Sequence, residues 1–253
     1  MKKALLIDMD GTLVNNWTPL RGSIELIEYL NYAEIQYLII TNRVSKTIEQ
    51  IRENLRSIGI NILNDRIINP IIALNKYIIN NNIKTYFFVG SENQEKNIIE
   101  SKNFKVFPEY VILCDFENID CDYKLMNKIY KYIMNGSKIL ATSYSDFYLS
   151  DNEYKMDTGI FVKMYELLTN QKATIIGKPS KEILKIAMIE LNKQPKDIIL
   201  IGDDGFSDIK GGKQLGMETI LIRTGVYKKG DEEKYKPNII LDNLEEIKKL
   251  IEK

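Results

Sequence analysis

Histidine is absent from this chain, and cysteine occurs only twice in 253 residues. The first absence excludes His-based acid–base catalysis and the His-containing sites of zinc hydrolases, which leaves carboxylates as the groups to move protons and hold metals. Cys114 and Cys121 form no CxxC pair and are too few for a disulfide framework, so a reducing cytoplasm is the expected compartment. Net charge is also missing. Lys and Arg total 35 and Asp and Glu total 35, so no overall field draws the chain to nucleic acid or to an anionic membrane. No apolar run reaches the length of a membrane span; even residues 69–80 are interrupted by Pro70, Asn75 and Lys76. The apolar stretch after Met1-Lys2-Lys3 ends at Asp8, too short for the apolar region of a signal peptide, and reads as a strand. No GxGxxG follows that strand, which argues against a dinucleotide-binding dehydrogenase. There is no internal repeat, and tracts such as Asn80-Asn81-Asn82 are compositional bias broken by apolar periodic segments. What is present is ample core-forming material. With 44% hydrophobic residues in 253, the chain can build one large or two modest domains.

Four polar stations follow apolar runs. Asp8 and Asp10 end the run Ala4-Leu5-Leu6-Ile7 and precede Gly11-Thr12-Leu13. Residues two apart on a strand point the same way, so both carboxylates can converge on one small volume, where two like charges need a cation. Thr41-Asn42 close the run Tyr37-Leu38-Ile39-Ile40 ahead of a helical pattern from Ser45 to Ser57. Lys178 lies in Ile175-Ile176-Gly177-Lys178-Pro179-Ser180, and Gly202-Asp203-Asp204-Gly205-Phe206-Ser207-Asp208 follows the run Ile198-Ile199-Leu200-Ile201. Taken singly, each has a plain structural reading: an acidic turn, a helix cap, a solvated lysine, a loop. The carboxyl ends of buried strands are nevertheless where open α/β sheets place ligands.

Apolar periodicity sets out the elements between these stations. A helix over Gly22–Tyr32 lies between two strand runs, as in a βαβ unit. Near Asn69-Pro70 the pattern changes to a second set: helix Ile71–Ile79, strand Thr85–Val89, helix Glu92–Ser101, strand Tyr110–Cys114 and helix Lys124–Met134. The first pattern then resumes with strand Thr174–Ile176, helix Lys181–Leu191, strand Ile198–Ile201, helix Ser207–Leu215 and strand Glu218–Ile222, expected to complete one core sheet, and a terminal helix over Ile247–Ile251. The near-continuous Ile, Leu and Val character of these strands predicts a parallel sheet buried on both faces.

In this order the stations resemble the four motifs of the haloacid dehalogenase-like superfamily of phosphohydrolases: DMDGTL, TN, GKP and GDDGFSD. The resemblance spans nearly the whole chain. It continues through Lys210-Gly211-Gly212, Leu215-Gly216-Met217 and Arg223-Thr224-Gly225, as in small-molecule phosphatases that carry a large cap between motifs two and three. It implies a Rossmann-like doubly wound parallel core, residues 1–69 and 175–253, with an inserted α/β cap of the C2 type at 70–174. It implies a Mg²⁺-dependent phosphatase acting on small phosphorylated metabolites, with Asp8 as the nucleophile that becomes an aspartyl phosphate and Asp10 as the proton donor that later activates water. By the same resemblance, Asp8, the Asp10 backbone carbonyl and Asp203 hold Mg²⁺. Thr41 and Asn42 bind the transferring group, Lys178 offsets its charge, and Asp208 orients Lys178 or a metal-bound water. Asp204 is open between outer support of the metal and loop solvation. A homodimer is a further expectation.

Other readings stay open on the same residues. The core also serves phosphoramidate and pyrophosphate hydrolysis; a non-catalytic nucleotide- or phosphate-binding module would keep the pocket without turnover. A phosphate-accepting receiver also uses paired acids, Thr and Lys, but is about half as long. Capped relatives often have TNPD where this chain has Thr142-Ser143-Tyr144-Ser145-Asp146, and a Pro-Gly-rich loop where it has Lys155-Met156-Asp157-Thr158-Gly159. Substrate identity therefore does not transfer. Tyr144, Phe147, Tyr148 and Tyr154 are either cap core or the lining of a pocket.

Overall fold

A computed structural model of the chain describes residues 3–63, 65–117, 119–150 and 153–251. Met1 and Lys2, which lead into the first strand in sequence, lie outside the described residues. The chain divides into two units, one of residues 1–41, 46–69 and 178–253 and the other of residues 42–45 and 70–177.

The first unit is built on a six-stranded sheet. Its strands are β1 (Ala4–Asp8), β2 (Tyr37–Ile40), β3 (Ile67–Ile68), β4 (Ile198–Gly202), β5 (Glu218–Ile222) and β6 (Ile239–Leu241). They lie in the order β6-β5-β4-β1-β2-β3, and every pairing is parallel. All residues of β1 are buried, which is why its sequence is a continuous apolar run rather than an alternating one. Ile7 stands level with Ile39 on one side and Ile201 on the other. The three isoleucines join Leu26, Leu30, Ile51 and Leu55 in one core cluster. Leu26, Ile27 and Leu30 form the buried stripe of helix Ser23–Tyr32. Helix Ile48–Ser57 begins later than the periodicity suggested, because Thr47 and Gln50 form a capping box: each side chain takes the other's backbone N–H, at 3.2 and 3.0 Å.

Two short strands of this sheet, β3 and β6, are too brief to carry a pattern and were not foreseen. Strand Thr174–Ile175 is placed differently from the expectation. It pairs with Lys138–Ala141 in the second unit and not with the core sheet. A short apolar run suits any buried strand, and only pairing decides which sheet receives it.

The second unit has its own parallel sheet, ordered Thr174–Ile175, Lys138–Ala141, Tyr110–Leu113, Tyr86–Val89. Val111, Leu113, Ile129, Ile139, Val162 and Tyr165 are among the residues of its core cluster, to which helices Tyr123–Met134 and Thr158–Thr169 contribute. The expected helix from Glu92 to Ser101 stops at Glu95. Beyond it, the Ile99 N–H donates to Asn75 Oδ1 at 2.9 Å and the Ile99 carbonyl accepts from the Tyr86 hydroxyl, so side chains replace the helical ladder. Phe147–Ser150 and Glu153–Met156 form an antiparallel pair, on which exposed Phe147 and Tyr154 meet edge to face at 5.2 Å; these two aromatics are not core. Tyr144 packs against the core cluster and donates to Glu166 at 2.9 Å. Cys114 is buried, and burial pushes its thiol up, away from reactivity. Among the described residues, no helix is long and apolar enough to cross a membrane.

Truncating the central contact of the first unit tests this packing. Ile7→Ala is expected to cost about 2–5 kcal/mol, read as a lower urea midpoint for unfolding; an unchanged midpoint would contradict the burial.

Candidate active site

The carboxyl edge of the first sheet gathers the polar stations. β1 and β4 are neighbours in register, Leu6 opposite Leu200 and Ile7 opposite Ile201. Asp8 therefore ends β1 level with Gly202, and Asp203 is the next residue along. The chain order also reverses between these two strands, the position where open sheets leave a crevice. Asp208 reaches the same place from a π-helical turn, Gly205–Ile209, a wound segment of a kind that recurs at functional sites.

Asp8, Asp203 and Asp208 are all buried, and each offers a carboxylate oxygen within 4.8 Å of the others. Lys178 lies among them. Its ammonium donates to Asp8 Oδ1 and, at 2.7 Å, to Asp208 Oδ1. Thr12 donates to Asp203 Oδ1 at 3.0 Å, and the Val226 N–H donates to Asp203 Oδ2 at 2.8 Å. Asp8 Oδ2, by contrast, is buried with no hydrogen-bond partner. An orphaned carboxylate oxygen beside two other acids is the donor set of a hard divalent cation.

Glycine makes room for this arrangement at two points. Gly11 has φ +93°, and a Cβ there would come within 2.3 Å of Asp203 Oδ2; at Gly225 the same distance would be 2.1 Å. The Thr224 hydroxyl ties the two loops by donating to the Gly11 carbonyl at 2.6 Å.

Asp10 stands outside the carboxylate group but is pinned by Thr41, whose hydroxyl donates to Asp10 Oδ2 at 3.1 Å. The second station thus meets the first. Asp204 caps the π-helical turn, accepting from the Phe206 N–H at 2.8 Å, while its own N–H donates to Asp208 Oδ2 at 3.3 Å. Asn42 belongs to the second unit, where its carboxamide oxygen would meet a Cβ on Gly177 at 2.7 Å. Thr12 and the Val226 N–H were missed by sequence reasoning. Thr12 had a signal, since it sits inside the first motif; a backbone N–H has none.

Burial dominates the electrostatics. It pushes the Asp8 carboxyl up to about 8, with Lys178 opposing and Asp203 adding. Asp208 is pushed up to about 7 by burial, again against Lys178, and Asp203 to about 6 by burial and by Asp208. Burial works to discharge Lys178, but Asp208 and Asp8 outweigh it and hold the ammonium charged.

Comparison with known proteins agrees with this geometry. Residues 5–105 match the family model described as haloacid dehalogenase-like hydrolase, and residues 175–247 match the one described as HAD-hydrolase-like. The chain belongs to the haloacid dehalogenase-like hydrolases. The human haloacid dehalogenase-like hydrolase domain-containing protein 2 is 25% identical over 235 residues, covering 93% of this chain and 89% of that protein. Acid sugar phosphatase of Staphylococcus saprophyticus is 25% identical over 257 residues, covering 99% and 98%. The structure of p-nitrophenyl phosphatase from Archaeoglobus fulgidus superposes with a TM-score of 0.89 at 23% identity, covering 98% and 99%. A haloacid dehalogenase-like hydrolase is thus an enzyme, and the α/β fold with parallel sheets is the one shared with these neighbours.

The raised carboxyls set a pH dependence for the cation-free protein. A group whose folded value lies above its unfolded one stabilises most when protonated, and that contribution is lost as pH rises through the folded value. The loss runs from the ordinary carboxylate value of 3.8 up to about 6 for Asp203, about 7 for Asp208 and about 8 for Asp8; Lys178 stays charged throughout it. With EDTA present, the urea midpoint is expected to be lower at pH 8 than at pH 5.5. A midpoint that rises over this interval would contradict the burial of these acids.

Proposed function

We propose that the protein is a Mg²⁺-dependent phosphatase that hydrolyses small phosphomonoesters through an aspartyl phosphate on Asp8. The observation that carries this reading is the unpartnered Oδ2 of Asp8, buried beside Asp203, Asp208 and Lys178. Phosphoryl transfer requires a nucleophile, a proton donor, positive charge and hydrogen-bond donors around the moving group, and the site has one residue suited to each part. Mg²⁺ would be held by Asp8, Asp203 and the Asp10 backbone carbonyl, and when bound it supplies charge neutralisation for the phosphoryl oxygens.

Asp8 attacks phosphorus while Lys178, paired with Asp8 and Asp208, keeps positive charge beside the nucleophile. Asp208 positions that ammonium. Asp10, oriented by Thr41, protonates the leaving oxygen and then takes a proton from the water that cleaves the acyl phosphate. Thr41 and Asn42 bind the transferring group. Asp204 supports the loop that carries Asp203 and Asp208. Residues 70–174 select the organic part of a small phosphorylated metabolite, as a cap does in this family.

Asp8→Asn replaces the nucleophile with an amide and is expected to lower kcat by at least about a thousandfold, with the far-UV spectrum unchanged. Retained turnover in purified Asp8→Asn would overturn the assignment. Asp10→Asn is expected to lose about a hundredfold or more in kcat while Mg²⁺ binding, followed by calorimetry, persists. Mg²⁺ is expected to raise the melting temperature more at pH 8 than at pH 5.5, since protons compete for the carboxylates that bind it; a larger shift at pH 5.5 would count against the proposed ligand set.

A further inference from the structure

Asp203 is held between two donors that are themselves secured in different ways. The Thr12 hydroxyl donates to Oδ1 at 3.0 Å, and Thr12 is fully buried. The Val226 N–H donates to Oδ2 at 2.8 Å, yet Val226 is 58% exposed. Packing of its own side chain therefore does little to fix that donor, whose place must come from the residues on either side.

Val226 belongs to the loop that follows β5. The Tyr227 N–H donates to the Thr224 carbonyl at 3.0 Å, which closes residues 224–227 into a turn. Upstream, the Thr224 hydroxyl donates to the Gly11 carbonyl at 2.6 Å and pins the turn to the first motif. Downstream, the Tyr227 hydroxyl donates to Glu232 and lies 2.9 Å from both of its carboxylate oxygens. Glu232 is held in its turn. Its Oε2 accepts from the Gly230 N–H at 3.2 Å and its Oε1 from the Arg223 guanidinium at 3.4 Å, whose other arm donates to Asp242 at 3.1 Å.

The short helix that carries Glu232, Asp231–Tyr235, also backs a second arm of the site. A Cβ on Gly205 would come within 2.1 Å of the Tyr235 ring, and Gly205 opens the π-helical turn that delivers Asp208. Mg²⁺ demands a narrow ligand geometry, and the partners behind its ligands are what hold them to it.

We propose that Glu232, acting through the Tyr227 hydroxyl and the Val226 N–H, is a positioning residue that fixes the Asp203 carboxylate for the cation. The proposal rests on the phosphatase reading above, in which Asp203 is a Mg²⁺ ligand. Without Glu232 the turn loses its downstream anchor, the Val226 N–H leaves Oδ2, and the carboxylate is free to rotate about its contact with Thr12.

The test uses the full chain, first free of metal in EDTA and then with Mg²⁺ as the probe. Amide exchange at Val226, followed by NMR, is expected to be about tenfold faster in Tyr227→Phe and in Glu232→Ala, with the Ile7 and Ile220 amides exchanging as in the native chain. The Mg²⁺ dissociation constant from calorimetry is expected to rise about tenfold in both variants. The double variant is expected to bind no more weakly than either single one, since all three break the same link. Glu232→Gln keeps an acceptor for the Tyr227 hydroxyl and is expected to hold Mg²⁺ affinity within about threefold of native. Tyr227→Phe removes one oxygen and keeps the ring, so it decides the matter should Glu232→Ala fail to fold. Native exchange at Val226 in both variants overturns the proposal, and so does faster exchange with native Mg²⁺ affinity. Additive losses in the double variant overturn it too, because Tyr227 and Glu232 then act apart. If the native chain binds no Mg²⁺, the phosphatase reading fails separately. Exchange at Val226 then decides alone: faster exchange in the variants supports Glu232 as the anchor of the Asp203 carboxylate, and unchanged exchange overturns it.

Discussion

Three buried carboxylates share one ammonium, and the rest of the first unit is arranged so that this imbalance can exist. Asp8, Asp203 and Asp208 converge with Lys178 at the carboxyl edge of a sheet whose strands are buried on both faces. Desolvation alone would expel such a cluster or neutralise it. Pairing with Lys178, the Thr12 hydroxyl and the Val226 N–H offsets part of the cost, and the remainder shows as an Asp8 carboxyl raised above the ordinary carboxylate range. Gly11 and Gly225 are part of the same solution. Any side chain at either position would occupy the space of the Asp203 carboxylate.

The parallel sheet explains why these particular residues meet. Adjacent parallel strands end at one edge, so the residues that follow β1, β2 and β4 emerge side by side even though β1 and β4 are far apart in sequence. The contact between Asp10 and Thr41 is a consequence of the β1–β2 neighbourhood.

Much of this was legible before any coordinates. Asp8, Asp10 and Asp203 announce themselves because they stand at or just past the ends of apolar runs, and such runs are local signals. Helix Lys181–Leu191 and strand Glu218–Ile222 were read to the residue for the same reason. Errors came where local signals end. Asp208, expected to orient Lys178 or a water, does accept from the Lys178 ammonium, and its carboxylate also lies in the group that could hold a cation, which no local signal showed. Asp204, open between two roles, turns out to cap the turn that delivers Asp208. Strand Thr174–Ile175 went to the wrong sheet, and the helix after Glu92 was drawn too long, because Asn75 and Tyr86 compete for its backbone groups from elsewhere in the chain.

Composition and the order of apolar runs were enough to establish an α/β protein, carboxylate rather than histidine chemistry, and the motifs that carry it. These properties depend on residues close together in the chain, where periodicity and residue type act directly. Which acids share a volume, which glycines must stay bare, and which lysine pairs with which acids were decided only by folding. Lys178 and Asp8 are separated by 170 positions, and Thr12 and Asp203 by 191. Contacts across such separations follow from strand pairing and burial, which no local pattern encodes.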